Sequence, residues 1–232
     1  MACILKLWYG ASVIISLSTW SFFIWCLLQK RQKWKQNRLF YMRHNCVVTY
    51  SRGKRMTGWP TDNKLVKNLV SNINIHFEPI CYFISTAKTR LDIAVMALTI
   101  NTIGEALLSA NDRGVQIRII VDFLCAKGNS LIKKIETSGI KVNYYVPSIK
   151  ERESIMHYKY MVKDYVEDIE GFISAGSMNW TITGLFNNYE NIVFSSDLNF
   201  AKALHNNFEH TWDFIEFSKL SYDVKAKLNL LK

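Results

Sequence analysis

At 232 residues the chain has room for one full α/β domain or two small ones. Its five scattered cysteines (Cys3, Cys26, Cys46, Cys81, Cys125) are odd in number and exclude a disulfide-stapled scaffold. The formal net charge of +10 resembles that of a nucleic-acid binder until it is placed: no Asp or Glu precedes Asp62, and ten of the 29 basic residues lie in 1–61. The 19 that remain balance all 19 acidic residues, so charge alone does not favour RNA as a partner of the C-terminal part.

The first element in chain order is an uncharged stretch of 23 residues, Leu7 to Gln29, with Trp8, Tyr9 and Trp25 among its aromatics. That length and composition predict a transmembrane helix, residues 1–29 forming an N-terminal membrane anchor. One Lys6 upstream, the length of the run and the lack of a small-residue cleavage site argue against a signal peptide. Residues 30–61 are basic, punctuated by Gly53, Gly58 and Pro60, and read as a juxtamembrane linker. The positive-inside rule then places the rest of the chain, 62–232, in the cytosol, and the basic cluster suits anionic lipid or RNA.

Within 62–232 the segment 64–89 is mostly helical in period. RLDIAVMAL (90–98), VQIRIIVDF (115–123) and IKVNYYV (140–146) are β-branched, apolar runs of strand length. Between them lie TINTIGEALLSANDRG, with Thr99 or Asn101 as N-cap and Gly114 past its end, and GNSLIKKIETSG. This alternation predicts βαβ units and a parallel sheet. After the charged loop PSIKERES, the runs IMHYKYMVKD and EGFISAGSM read as two strands joined by an acidic turn. NYENIVFSS is a further strand, and NFAKALHNNFEHTWDFIEF carries apolar residues at helical spacing.

His157 and Lys159, two apart, project to one side of a strand. Downstream, Gly176, Ser177 and Asn179 follow a strand end, where a glycine permits close approach of a ligand. An ammonium, an amide and a hydroxyl suit the oxygens of a phosphate, and a histidine beside them can attack phosphorus or protonate a leaving oxygen. Fixed cationic and amide groups supply the charge stabilisation, so no cofactor is required for catalysis.

The pattern H-x-K-x-x-x-x-D, met by His157, Lys159 and Asp164, and G-S-x-N, met by Gly176, Ser177 and Asn179, resembles the signature of the phospholipase D superfamily. GSMNWT, NNYENIVF, the FEHTW helix and the N-terminal run together resemble the Zucchini, or mitochondrial cardiolipin hydrolase, group. The resemblance implies a phospholipase D-like mixed sheet flanked by helices, with one half-site per chain. It implies His157 as nucleophile, Lys159 and Asn179 on the phosphate oxygens, Ser177 supporting them, and Asp164 stabilising the site. Glu190 would orient the imidazole of His157, as carboxylates beside histidines do.

His44, His76, His205 and His210 lack the flanking pattern, so a two-histidine mechanism requires a homodimer with a shared active site. Lys150 and Arg152, in the loop before His157, are candidate substrate contacts. Cys46 and His76 stand about where the group carries a structural zinc, although residues 47–75 contain no cysteine and the spacing is no zinc pattern by itself. The resemblance further implies a single-pass protein of the mitochondrial outer membrane, its catalytic domain facing the cytosol. As substrate it implies single-stranded RNA, cut in piRNA biogenesis; the alternative is cardiolipin, hydrolysed to phosphatidic acid. A catalytically dead membrane scaffold is the third reading, and the intact His157, Lys159, Asn179 and Glu190 argue against it.

Overall fold

The computed structural model describes residues 2–53, 55–60, 73–147 and 154–227, and side chains from Trp20 onward except 73–74, 217 and 219–227. The chain divides into two units, residues 1–42 and 43–232. The first consists of helix α1, Ala2–Arg43, which ends at the first residue of the second unit. Among the described residues no helix is long and apolar enough to cross a membrane, and most of the side chains of the expected span lie outside them.

Residues 30–61 are more than the linker expected from their charge. They hold the end of α1 and two strands, β1 (Cys46–Ser51) and β2 (Arg55–Thr57). In β1 the alternation of the pleat turns Val48 and Tyr50 inward, both buried, and this anchors a strand despite the surrounding cations.

The second unit continues with α2 (Glu78–Ser85), β3 (Arg90–Val95), α3 (Asn101–Asp112), β4 (Gln116–Asp122), α4 (Phe123–Ala126), α5 (Ser130–Thr137) and β5 (Lys141–Tyr145). It closes with β6 (Lys159–Val166), β7 (Glu170–Gly176), α6 (Ile182–Phe186), β8 (Glu190–Ser195) and α7 (Leu198–Lys227). The eight strands among the described residues form one sheet in the order β2-β1-β8-β7-β6-β3-β4-β5. As the spacing predicts, β3, β4 and β5 are parallel; the remaining pairs are antiparallel, so the sheet is mixed. Neither Thr99 nor Asn101 caps α3: the N-cap is Ile100, without a side-chain bond. Asn129 and Asp122 cap α5 and α4 through their side chains.

Helix α7 covers one face, packing Ala201, Phe208 and Ile215 on Ala94, Ile120, Tyr160, Val162 and Ile173. An ion network latches it. Arg118 bridges Asp92 (2.7 Å) and Glu209 (2.7 Å), and Arg90 does the same at 2.9 and 2.5 Å. Asp92 is 1% exposed, and burial pushes its carboxyl up to about 7 against the pull of Arg90. With His205 and Glu209 it forms a three-ligand constellation of the kind that binds a metal, but two guanidiniums already hold both carboxylates and would repel a divalent cation.

On the opposite face Lys163 of β6 is fully buried over the rings of Phe83 (4.2 Å) and Phe172 (5.1 Å). Its Nζ meets His44 Nε2 and donates to Thr86 Oγ1 at 2.8 Å. Burial drives its ammonium down to about 7, Asp164 opposing the shift. The unfolded chain keeps this proton up to the usual lysine range, so the contribution of Lys163 to stability rises with pH once the folded lysine begins to deprotonate, opposed below about pH 7 by the raised carboxyl of Asp92. Between pH 7 and 8.5 the lysine's contribution should climb toward ~1.4 kcal/mol per pH unit. Above that window Cys46 and Cys81, pushed up to about 11 by burial, act in the opposite sense. Lys163→Met should flatten the slope, as read from urea unfolding of both proteins across those pH values.

Candidate active site

Topology brings the sequence-distant motifs to one edge of the sheet. The parallel strands β3, β4 and β5 end there, β7 ends there, and the antiparallel β6 and β8 start there. His157 is exposed and lies two residues ahead of β6, its segment fixed by the Met96 amide donating to the Tyr158 carbonyl at 2.9 Å. Lys159 opens β6 and is 9% exposed, and its Nζ donates to the His157 carbonyl at 2.9 Å. Burial pulls its ammonium below the usual lysine range, while Glu190 and Cys125 favour the charged form.

The loop after β7 is threaded tightly. A Cβ at Gly176 would collide with the carbonyl of Asn191, and one at Gly184 with the carbonyl of Asn179, so both glycines answer to close backbone approach. Trp180 donates its amide to Ala97 O at 3.0 Å and accepts from Thr99 N at 2.9 Å, which ties the loop to the end of β3. Asn179 between these anchors directs Nδ2 at the Met96 thioether (3.9 Å), and its Oδ1 is buried without a hydrogen-bond partner among the described residues. A buried carbonyl left unpaired costs roughly 1–3 kcal/mol, a cost typical of functional positions.

Ser177 and Glu190 interact with each other first. The Ser177 hydroxyl donates to Glu190 Oε2 and accepts from Asn191 N at 3.0 Å, and Asn188 Nδ2 donates to Glu190 Oε1 at 2.8 Å. A serine has one hydroxyl proton, and here Glu190 takes it, so Ser177 has none for a phosphate oxygen while this bond stands. No hydrogen bond joins Glu190 to His157 among the described residues; Glu190 instead acts electrostatically on Lys159.

Asp164 lies elsewhere. It sits five residues along β6 from Lys159, roughly 17 Å at strand rise. It adopts φ 49° at a β-bulge and accepts bonds from the amides of Lys88 (3.0 Å), Thr89 (2.8 Å) and Arg90 (3.1 Å) and from Thr89 Oγ1 (3.0 Å). It fastens the turn into β3 and does not reach the catalytic edge. Lys150 and Arg152 lie outside the described residues.

Cys46 and His76 belong to no group of three metal ligands among the described residues. Among the described residues the ligand cluster is Asp92, His205 and Glu209, and it excludes both. The Cys46 thiol donates to Arg43 O at 3.6 Å and is held protonated by burial, while the His76 ring packs on Phe186 at 5.3 Å. Among the described residues neither has the further ligands that a four-coordinate structural zinc requires.

Asn188, Met96 and Cys125 complete the surroundings, and the motif pattern does not point to them. Asn188 has a weak signal, its place in NNYEN beside Glu190; Met96 and Cys125 have none before the strands are assembled.

Residues 80–212 match the family described as the phospholipase D-like domain of cardiolipin synthase, and the chain belongs to this family. Its curated relatives include proteins named mitochondrial cardiolipin hydrolase. The one from Xenopus tropicalis is 28% identical over 149 residues, 63% of this chain and 65% of the relative. The human one is 26% identical over 137 residues, 59% of this chain and 50% of the relative. The chain thus matches between half and two thirds of the length of these relatives. Among solved structures, the phospholipase D family member Nuc from Salmonella typhimurium aligns with a TM-score of 0.50 at 25% identity, over 58% of this chain and 84% of Nuc. NucT from Helicobacter pylori shares the fold with a TM-score of 0.53 at 22% identity, over 62% of this chain and 92% of NucT.

Proposed function

We propose that the chain is a phosphodiesterase that hydrolyses a phospholipid diester of the cardiolipin class. The observation that carries this reading is an exposed His157 directly beside the desolvated Lys159 ammonium, on the sheet edge that also presents Asn179. An imidazole nitrogen of His157 attacks phosphorus and forms a phosphorus–nitrogen bond. The bond from phosphorus to the leaving glycerol oxygen breaks, and that oxygen takes a proton from a second histidine. Water, giving a proton back to the second histidine, then attacks the adduct and breaks the phosphorus–nitrogen bond, delivering phosphatidic acid and restoring both histidines. Lys159 and Asn179 stabilise the charge on the phosphate oxygens. The second histidine comes from a second copy of the chain, so the active form is a homodimer with a shared site.

Lipid is favoured over RNA, the reverse of the order that the family resemblance implies. The curated relatives are named for cardiolipin. The same edge also carries exposed apolar side chains, namely Leu124, Val146, Ile155, Tyr158, Ile182 and Tyr189, where an RNA groove would carry cations. The uncharged run Leu7–Gln29 would anchor the protein in the mitochondrial outer membrane, with the basic residues that follow held at anionic headgroups on the cytosolic side.

The test is to offer the purified full chain cardiolipin vesicles and single-stranded RNA in parallel, with and without a chelator. Phosphatidic acid formed with the chelator present, and RNA left intact, is the expected result. RNA cut with lipid untouched would establish the nuclease reading, and neither substrate turned over would remove both.

A further inference from the structure

Glu190 never needs to touch a phosphate to matter to the site. Both of its carboxylate oxygens are occupied, Oε1 by Asn188 Nδ2 at 2.8 Å and Oε2 by the Ser177 hydroxyl, which the Asn191 amide fixes in turn at 3.0 Å. Asn188 itself is exposed and contributes little to the core. We propose that Asn188 is a positioning residue: with Ser177 it clamps the Glu190 carboxylate at the sheet edge where β8 opens with Glu190 and β6 with Lys159, so that the cation of the site is maintained by a side chain that touches no substrate.

Lys159 needs such a counter-charge because it is almost wholly withdrawn from water. The groups that face it are Glu190 from β8, Cys125 from α4 and His157 from its own segment. The Cys125 thiol is pushed up by burial and by Asp122, and so carries no charge at neutral pH. Glu190 is therefore the group that favours the charged lysine. A half-exposed glutamate has rotamers that swing its charge into solvent, where water screens it. Two donors on two different oxygens remove that freedom, and the bond from Asn188 is the one that a surface substitution can delete without disturbing the strands.

The kinetic part of this inference rests on the phosphodiesterase reading, whereas the electrostatic part does not. The experiment is a titration of the Lys159 side-chain signal by NMR on the full chain, assigned with Lys159→Arg, in wild type, Asn188→Ala, Glu190→Gln and the double variant. In Asn188→Ala the midpoint should fall by about half a pH unit to one unit. Glu190→Gln should lower it at least as far, and the double variant should match Glu190→Gln alone, because the clamp has nothing left to hold.

Where the enzyme is active, the alkaline limb of the kcat profile should move the same way, with kcat roughly 3- to 10-fold lower and KM within about twofold. Asn188→Ser, which keeps a shorter donor, should fall between wild type and Asn188→Ala, and it replaces Asn188→Ala if that variant does not fold. An unchanged Lys159 midpoint in a folded Asn188 variant, or additive shifts in the double variant, overturns the proposal. Lack of turnover by the wild type would remove the phosphodiesterase reading, and the titration alone would then decide the role of Asn188.

Discussion

His157→Ala is expected to abolish diester turnover, by about a thousandfold or more, while the domain stays folded. The two halves of that result come from different features. The side chain is exposed and makes no hydrogen bond to another described residue, so its removal should change stability by no more than about 0.5 kcal/mol. Its chemistry, in contrast, has no substitute at the catalytic edge. Of the neighbouring nucleophiles, the Ser177 oxygen is engaged as acceptor by the Asn191 amide at 3.0 Å, and the Cys125 thiol is held protonated by burial and Asp122. Residual activity near the wild-type level would mean that phosphorus is attacked by another group. Turnover of lipid vesicles and a thermal melt, run on the same preparation, separate the two halves.

Asp164→Ala should show the reverse signature. The carboxylate accepts four described donors from 88–90, three of them backbone amides of the turn into β3. Alanine would take away their acceptor next to the buried Lys163 and would place a poorly tolerated residue at φ 49°. Together these effects should cost roughly 2–5 kcal/mol of stability, measured by urea unfolding. Asparagine in place of the aspartate retains an acceptor and tolerates the left-handed backbone, so Asp164→Asn should lose about half as much or less. At temperatures well below either melt, kcat should remain within a few-fold of wild type. A collapse of kcat in a fully folded Asp164→Asn would return the aspartate to the chemistry.

The contrast between these variants shows what the chain discloses by pattern alone. The βαβ order was legible, because strand-length apolar runs at 90–98, 115–123 and 140–146 alternate with helical spacing, and β3, β4 and β5 pair in that register. The short strands β1 and β2 were not, since their flanking cations suggested a linker, and the alternation of Val48 and Tyr50 is only two residues deep. In the site, period-2 spacing puts His157 and Lys159 on one strand face, but β6 opens only at Lys159, which is buried, and His157 stands exposed two residues ahead of it. The hairpin that sets β7 against β6 brings the loop of Asn179 to the same sheet edge. A motif states which residues recur and not what each one does. Asp164 stands in the same motif as Lys159, yet five residues of extended chain carry it to the far end of the strand. Ser177 and Glu190 read as two independent contacts, and only the folded loop reveals that one hydrogen bond joins them to each other.

The covalent step at His157 is open to direct observation through its intermediate. The full chain mixed with cardiolipin vesicles and quenched rapidly at alkaline pH should yield a peptide spanning His157 that carries the mass of a phosphatidyl group. The adduct should decay as phosphatidic acid accumulates, and it should be absent from His157→Ala. Full turnover with that peptide unmodified at every time point, or an adduct on any other residue, would contradict a phosphohistidine mechanism at His157.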